Sequence, residues 1–284
     1  MRLRLLPWFC VLLCVCTPVR AEDLISIRGS AVVARAIAPA VSELEKDYGI
    51  QINFVPEING LEIADKLGRD VFDLALYTRR MTGQERALHP EKKFQEILIG
   101  KQVVIVVVPE EVWKSGVRAL TKEQLHKIYE QEIKNWKEVG GEDREIVYFN
   151  REVGRGIWDL FMIFLYGDVR KAPLSKAKVL DNAEDVRLEV AFNRGSISLL
   201  EYGDLKGGLL HALGIKLEDG TVIEPTPENI ASGRYELSRP LYIVTPKTPT
   251  GKVRKLIEFM AGDAGQKAVA QAGHVPLSMA EPKK

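Results

Sequence analysis

The unbroken valine and isoleucine run from Val104 to Val108, preceded by Val103, limits what this chain can become more than any other stretch. Successive side chains of a strand point to opposite faces, so a run apolar at every position predicts a central strand covered on both sides. Further strand-like runs fall at Leu24 to Ile27, Ile50 to Val55, Leu74 to Tyr77, Ile146 to Phe149, Ile197 to Leu200 and Leu241 to Val244. Helical patterns lie between them at Ala31 to Tyr48, Lys122 to Gln131, Ile157 to Leu165 and Gly251 to Gln271, with Ser30 and Thr121 at N-cap positions. This alternation predicts an α/β architecture with largely parallel sheets. Leu217 to Arg239, with Pro225, Pro227 and Gly233, has no clear period and reads as a long excursion before the chain returns to a sheet.

The first residues have a different character. Met1-Arg2-Leu3-Arg4, the apolar run Leu5 to Cys16 and Thr17-Pro18-Val19-Arg20-Ala21 have the basic, apolar and small-residue parts of a secretory signal peptide, with cleavage expected near Ala21. The apolar run is about a dozen residues, short of the roughly 20 that span a bilayer. All three cysteines, Cys10, Cys14 and Cys16, lie in that leader, so the mature chain is expected to have neither a disulfide nor a cysteine metal site. Removing Arg2, Arg4 and Arg20 lowers the basic count from 40 to 37 against 39 acids, a formal charge of −2. That balance argues against nucleic acid or an anionic membrane as partner, so any anion must be caught locally.

Three turns could catch one. Arg28-Gly29-Ser30-Ala31 follows the first strand, where the glycine permits a tight turn and Ser30 places a hydroxyl beside free backbone N–H groups of a helix start. Tyr77-Thr78-Arg79-Arg80 follows the strand at Leu74, the end of a parallel strand at which ligands bind. Asn150-Arg151-Glu152-Val153-Gly154-Arg155-Gly156 brings guanidinium groups to the start of the helix near Ile157, with Glu152 able to orient a neighbouring arginine. Together they read as one convergent anion site. His89, His126, His211 and His274 lack the spacing of a zinc helix, and Ser196 lacks the second glycine of a nucleophile elbow, so nothing demands an enzyme, a metal or a cofactor. Trp113, Trp136 and Trp158 are read as core.

The chain resembles the phosphate-binding proteins of Pst-type ABC importers, within the two-lobed periplasmic binding protein superfamily. The landmarks are Gly29-Ser30 before a helix, Asp73-Leu74-Ala75 leading to Thr78-Arg79, Leu120-Thr121-Lys122-Glu123-Gln124-Leu125 with Asn135-Trp136-Lys137-Glu138-Val139-Gly140-Gly141, and Asn150-Arg151-Glu152. Arg239-Pro240-Leu241-Tyr242, Gly265-Gln266-Lys267 and Gly273-His274-Val275-Pro276-Leu277 extend it toward the C-terminus.

The resemblance implies a type II-like two-lobed α/β fold, with two mixed, mostly parallel sheets joined by crossover strands. Residues 22–105 plus 240–284 would form a discontinuous first lobe and 106–239 the second. Ligand contacts map onto Ser30, Ala31, Thr78, Arg79, Arg151, Arg155, Gly156 and Ile157, supported by Gly29, Asn59, Gly60 and Glu152. The implied function is capture of inorganic phosphate or another small oxyanion by an exported, periplasmic monomer that delivers it to an ABC permease in the inner membrane. An anion sensor or accessory module uncoupled from transport is the alternative, and an exported phosphate-ester hydrolase a further one. The chain departs from the family where Arg155 and Ile157 replace the serine and threonine of a Ser-Gly-Thr turn, where Ala31 and Val32 follow Ser30 without the usual threonine, and where Ile58-Asn59-Gly60-Leu61-Glu62 stands for a glycine-serine turn. Arg155 can reach inward and exchange hydroxyl bonds for a charge-assisted pair, or point outward and leave the pocket poorer in donors.

Overall fold

The computed structural model describes residues 24–280. The leader, its three cysteines and the last four residues lie outside the described residues. The strands are β1 Leu24–Gly29, β2 Gln51–Pro56, β3 Leu74–Tyr77, β4 Gln95–Pro109, β5 Ala119–Thr121, β6 Val147–Tyr148, β7 Asn150–Arg151, β8 Val179–Leu180, β9 Ser196–Glu201, β10 Leu210–Lys216, β11 Val222–Ile223 and β12 Ser238–Thr245.

The apolar run at Val103 belongs to β4, a strand of 15 residues that takes part in both lobes. Its first part pairs antiparallel with β12, from Val103 opposite Ser238 to Gln95 opposite Thr245. β12 pairs antiparallel with β3, and β1 lies parallel between β3 and β2. The second part of β4 lies antiparallel to β9 on one side and β10 on the other. β10 carries β5 and β11, β9 carries β6, and β7 pairs with β8 in a separate two-stranded sheet. The sheets are therefore mixed: the pairs around β4 and β12 and the edge pair β10–β11 are antiparallel, and the remaining pairs are parallel. The reason is that β4 and β12 cross between lobes in opposite directions and lie side by side.

The cores follow the same division. Ile25, Ile27, Leu74, Leu76, Ile99, Leu241 and Ile243 pack with helices of the first lobe, and a satellite cluster gathers around Ile63, Leu67 and Tyr77. Val103 to Val108 belong instead to the second core, with Trp136, Trp158, Phe161, Leu199 and Leu237. Trp113 packs against its edge. A register shift at Leu241/Tyr242 lets β4 accommodate Ile99 as an extra residue at the junction of the two cores, the usual consequence of a β-bulge.

Local chemistry explains where helices begin and break. The pattern at Ala31 to Tyr48 is two helices, Ala31–Ile37 and Val41–Tyr48, separated by a 3-10 turn Ala38–Ala40. Pro39 lies in that turn and lacks the N–H that a continuous helix needs. Gly251 to Gln271 likewise divides at Gly262, whose backbone is extended. Thr121 and Gln124 form a reciprocal capping box on Lys122–Tyr129, and Asn135 caps the turn Trp136–Val139. Trp136 Nε1 donates to Gly195 O at 2.8 Å from full burial. The excursion after Leu217 contains β11 and a short helix, Pro227–Ala231. The helices Gly60–Gly68 and Ala183–Phe192 and the strand β10 add to the elements expected from periodicity. No helix among the described residues is long and apolar enough to cross a membrane.

Gly29 joins this frame to the first turn. Its φ is +123°, and a Cβ there would run into the backbone of Leu76 on β3. Gly29→Ala is therefore expected to destabilise the protein by about 2 kcal/mol or more through strain and displacement of β3. Chemical denaturation measures it, and an unchanged midpoint would refute the close approach.

Candidate functional site

A cleft of about 670 Å³ collects the three turns. Ser30 and Ala31 reach it from the end of β1, Thr78 and Arg79 from the end of β3, and Arg155 and Gly156 from the start of the helix Gly156–Tyr166. Gly60, at the start of Gly60–Gly68, also lines it. Ser30 Oγ accepts from Val32 N at 3.3 Å, so the hydroxyl proton is left for a ligand. The Ser30 N–H donates to Leu76 O at 2.9 Å, fixing the turn against β3.

The arginines are disposed differently from the sequence expectation. Arg79 forms a fork onto Glu85, at 2.7 and 2.8 Å, and a further bond to Arg80 O at 2.9 Å. Gly60 is small where this pair needs room, since a Cβ would overlap Glu85 Oε1 and lie 2.7 Å from Arg79 Nη2. Asn59 Oδ1 caps the same helix, accepting from Glu62 N at 3.4 Å, and Asn59 is not among the cleft lining. Arg155 lies at the cleft yet pairs through Nε with Glu152 Oε2 at 2.6 Å, in the exposed i, i+3 geometry. Arg151 is not in the cleft lining. It is 6% exposed, and its guanidinium donates to the carbonyls of Asn182 at 3.0 Å and Asp181 at 3.2 Å. Ile157 is buried in the second core, so only its backbone N–H faces the helix start.

Arg35, Glu57, Asp159 and Arg239 line the cleft without having been singled out from sequence. Glu57 is paired with Lys66 at 3.1 Å and lies 3.8 Å from Arg28. Asp159 is half-buried one turn into the helix Gly156–Tyr166, and burial raises its pKa against the opposing pull of Arg239 and then Arg35. Among the described residues it has no ion-pair partner within 4 Å. Such a carboxylate can accept a hydrogen bond from a protonated oxyanion, and it repels one with no proton to give. Arg239 Nη2 donates to Gly156 O at 3.1 Å, tying β12 to the second-lobe helix.

Gly156 is the point at which the lobes meet. A Cβ there would overlap Val32 Cγ2 and lie 2.9 Å from Arg35 Nη2 and 3.1 Å from Arg239 Nη2. Because φ at Gly156 is not positive, the constraint is the approach of the other lobe rather than the backbone.

Behind the cleft runs a buried polar chain. Arg239 Nε donates to Gln102 Oε1 at 2.7 Å, and Gln102 Nε2 donates to Glu201 Oε1 at 2.7 Å. His274 Nδ1 lies 3.9 Å from Glu201 Oε2, and both imidazole nitrogens and that oxygen are buried without a hydrogen-bond partner in the described residues. Burial pushes the Glu201 carboxyl up to about 7 and holds His274 down to about 4, so both favour their neutral forms. Above its ordinary pKa and below 7, Glu201 keeps a proton that the unfolded chain releases, and stability falls as pH rises. His274 acts oppositely between its folded and unfolded values, adding stability as pH rises. Glu201→Gln keeps the acceptor for Gln102 and removes the buried charge. It is expected to exceed the wild type in stability at about pH 8 by on the order of 3 kcal/mol and to lose that advantage near pH 5. Urea denaturation at both pH values checks this, and equal stability at pH 8 would mean that the carboxylate is solvated.

A family model described as a PBP superfamily domain matches residues 17–264. The phosphate-binding protein PstS of Borreliella burgdorferi is 26% identical over 263 residues, covering 90% of this chain and 91% of that protein. PstS of Bacillus subtilis is 28% identical over 183 residues, covering 64% of this chain and 58% of its own length. Among solved structures, a possible phosphate binding protein from Planctomyces limnophilus matches with a TM-score of 0.77 at 23% identity, covering 90% of this chain and 94% of that one. PstS from Borrelia burgdorferi matches with a TM-score of 0.67 at 24% identity, covering 89% and 98%. The chain shares the mixed α/β two-lobed fold of these structures and belongs to the PBP superfamily.

Proposed function

We propose that this chain is an exported solute-binding protein that captures phosphate or a closely related oxyanion between its lobes and delivers it to an ABC permease. The observation that carries the reading is the cleft itself, where a serine hydroxyl, the start of the helix Gly156–Tyr166 and guanidinium groups converge between two separately packed cores. The 26% identity to a protein named for phosphate binding, over most of both chains, supports the same ligand. The leader through Ala21 supports export.

Binding in this reading is reversible and needs no covalent step. The lobe packed around Ile99 and Leu241 moves as one body and the lobe packed around Val103 to Val108 and Leu237 as the other, the cleft shuts on the anion, and the closed face is what a permease reads. Ser30, Thr78 and the backbone N–H groups at Gly156 and Ile157 supply neutral donors. Asp159 favours an oxyanion that retains a proton near neutral pH, which phosphate does and sulfate does not.

Calorimetry of the mature protein against phosphate, sulfate, molybdate and arsenate tests the reading. Phosphate and arsenate are expected to bind well below millimolar and sulfate more weakly; failure of every oxyanion to bind at about −4 kcal/mol or better would sink it. Gly156→Ala provides a second test, because the added methyl would overlap Val32 of the opposite lobe in this arrangement of the lobes, which the reading takes as the closed one. Overpacking of this kind costs about 1–3 kcal/mol, so phosphate affinity should fall roughly 5- to 150-fold. The ligand-free thermal midpoint should stay near that of the wild type, and unchanged affinity would mean that closure is not required for binding.

A further inference from the structure

Each arginine near the cleft can be asked what already neutralises it. Arg79 is committed to Glu85, and Arg155 to Glu152. Arg151 has no carboxylate within 4 Å and its Nε is buried without a partner among the described residues, but it lies outside the cleft lining and its other guanidinium nitrogens donate to two carbonyls. Arg35 and Arg239 remain, and among the described residues neither has a carboxylate within 4 Å. They approach the same point from different parts of the fold, Arg35 from the first-lobe helix Ala31–Ile37 and Arg239 from β12, and the Nη2 atom of each lies beside Gly156. Burial lowers the pKa of Arg239, and repulsion by the Arg35 charge adds to it in the same direction, against the opposing pull of Asp159 and Glu201. An anion between them would reverse that repulsion.

We propose that Arg35 and Arg239 are the cationic contacts of the captured anion, and that Gln102 and Glu201 are positioning residues that hold Arg239 for it. The proposal rests on the oxyanion-binding reading and names the residues that carry the charge. Arg239 and Gln102 are directly opposed in the β12–β4 register, so their bond is a cross-strand pair on the two crossover strands. Gln102 is fully buried, and its amide is oriented at both ends, the oxygen accepting from Arg239 and the nitrogen donating to Glu201. Arg239 is thereby fixed to the hinge strands, while Arg35 travels with the first lobe and Gly156 with the second. A compact tetrahedral anion with at least two charged oxygens can give one to each guanidinium and still receive the N–H groups of the helix start. Asp159 and the paired Glu57 face the same space and limit how much negative charge it accepts.

The experiment is calorimetric titration of the mature protein with inorganic phosphate, alongside ligand-free thermal unfolding. Arg35→Gln and Arg239→Lys are each expected to weaken phosphate by about 10- to 100-fold, the scale of a lost charge-assisted bond. Arg35→Lys, which keeps the charge on an exposed side chain, should recover most of the Arg35→Gln loss. Gln102→Leu should weaken phosphate in the wild-type background and have no additional effect in the Arg239→Lys background, which a merely structural glutamine would not show. Arg35 is exposed, so its variants test the pair even where changes at Gln102 lower stability. If the wild type binds phosphate and the Arg35 and Arg239 variants bind it equally well while Arg79→Gln or Arg155→Gln does not, this assignment is overturned and the oxyanion reading stands. If the wild type binds no oxyanion, the reading fails and the assignment with it.

Discussion

The structure depends on β4 being one strand with two environments. Its first residues are paired with β12 and packed in the first lobe, and from Val103 onward its side chains fill the second core. A continuous backbone paired with β12 in one lobe and with β9 and β10 in the other ties the two lobes together. The chain entering and forming β12 repeats the arrangement in the opposite direction, with Leu237 just before the strand in the second core and Leu241 within it in the first. The two crossings therefore join the lobes side by side, with the cleft between their packed cores.

That arrangement explains where the buried polar groups lie. Gln102 and Arg239 face each other at the boundary between cores, where neither lobe's apolar packing is continuous. Glu201, at the end of β9, and His274, beside the bridge between Lys101 and Val275, complete the cluster. A buried polar group costs free energy unless it is bonded, and the cluster meets this by keeping Glu201 and His274 neutral rather than forming a buried ion pair. The guanidinium of Arg239 stays charged, and its remaining edge is directed toward Gly156.

Much of the frame was legible from local pattern. Leu74 to Tyr77 and the apolar run at Val103 became strands because β-branched and apolar residues in succession suit a covered sheet. Pro39 divided a helix whose apolar spacing runs through it, since period counts side chains and does not register a missing N–H. The helix Ala183–Phe192 escaped notice because it buries only Val186 and Val190, too thin a stripe to stand out. The turns of the site were readable, since glycine, serine and helix starts are local features. The arginines were not, because what neutralises each is decided by tertiary structure. Arg79 meets Glu85 six residues on, but Arg239 meets Gln102 across 137 residues and Gln102 meets Glu201 across 99, distances over which sequence spacing carries no information.

The replacement of the Ser-Gly-Thr turn acquires a physical meaning from these placements. Ile157 could not supply a hydroxyl where it stands, because its side chain is part of the second core. What the position retains is its backbone N–H at the helix start, and that donor is independent of the side chain. Arg155 is held by Glu152 at the rim, so the charge it adds to the turn is largely cancelled there. On the proposed assignment the lost hydroxyl donors are offset by Arg35 and Arg239, which act on charge and are felt over a longer range. Hydroxyls bond to an oxyanion according to geometry almost regardless of its charge, whereas paired guanidiniums favour the more highly charged anion. A neighbouring carboxylate at Asp159 then opposes any anion that has no proton to offer. On that assignment selectivity comes from the balance of Arg35 and Arg239 against Asp159 and the paired Glu57, and not from the number of hydroxyls in the turn.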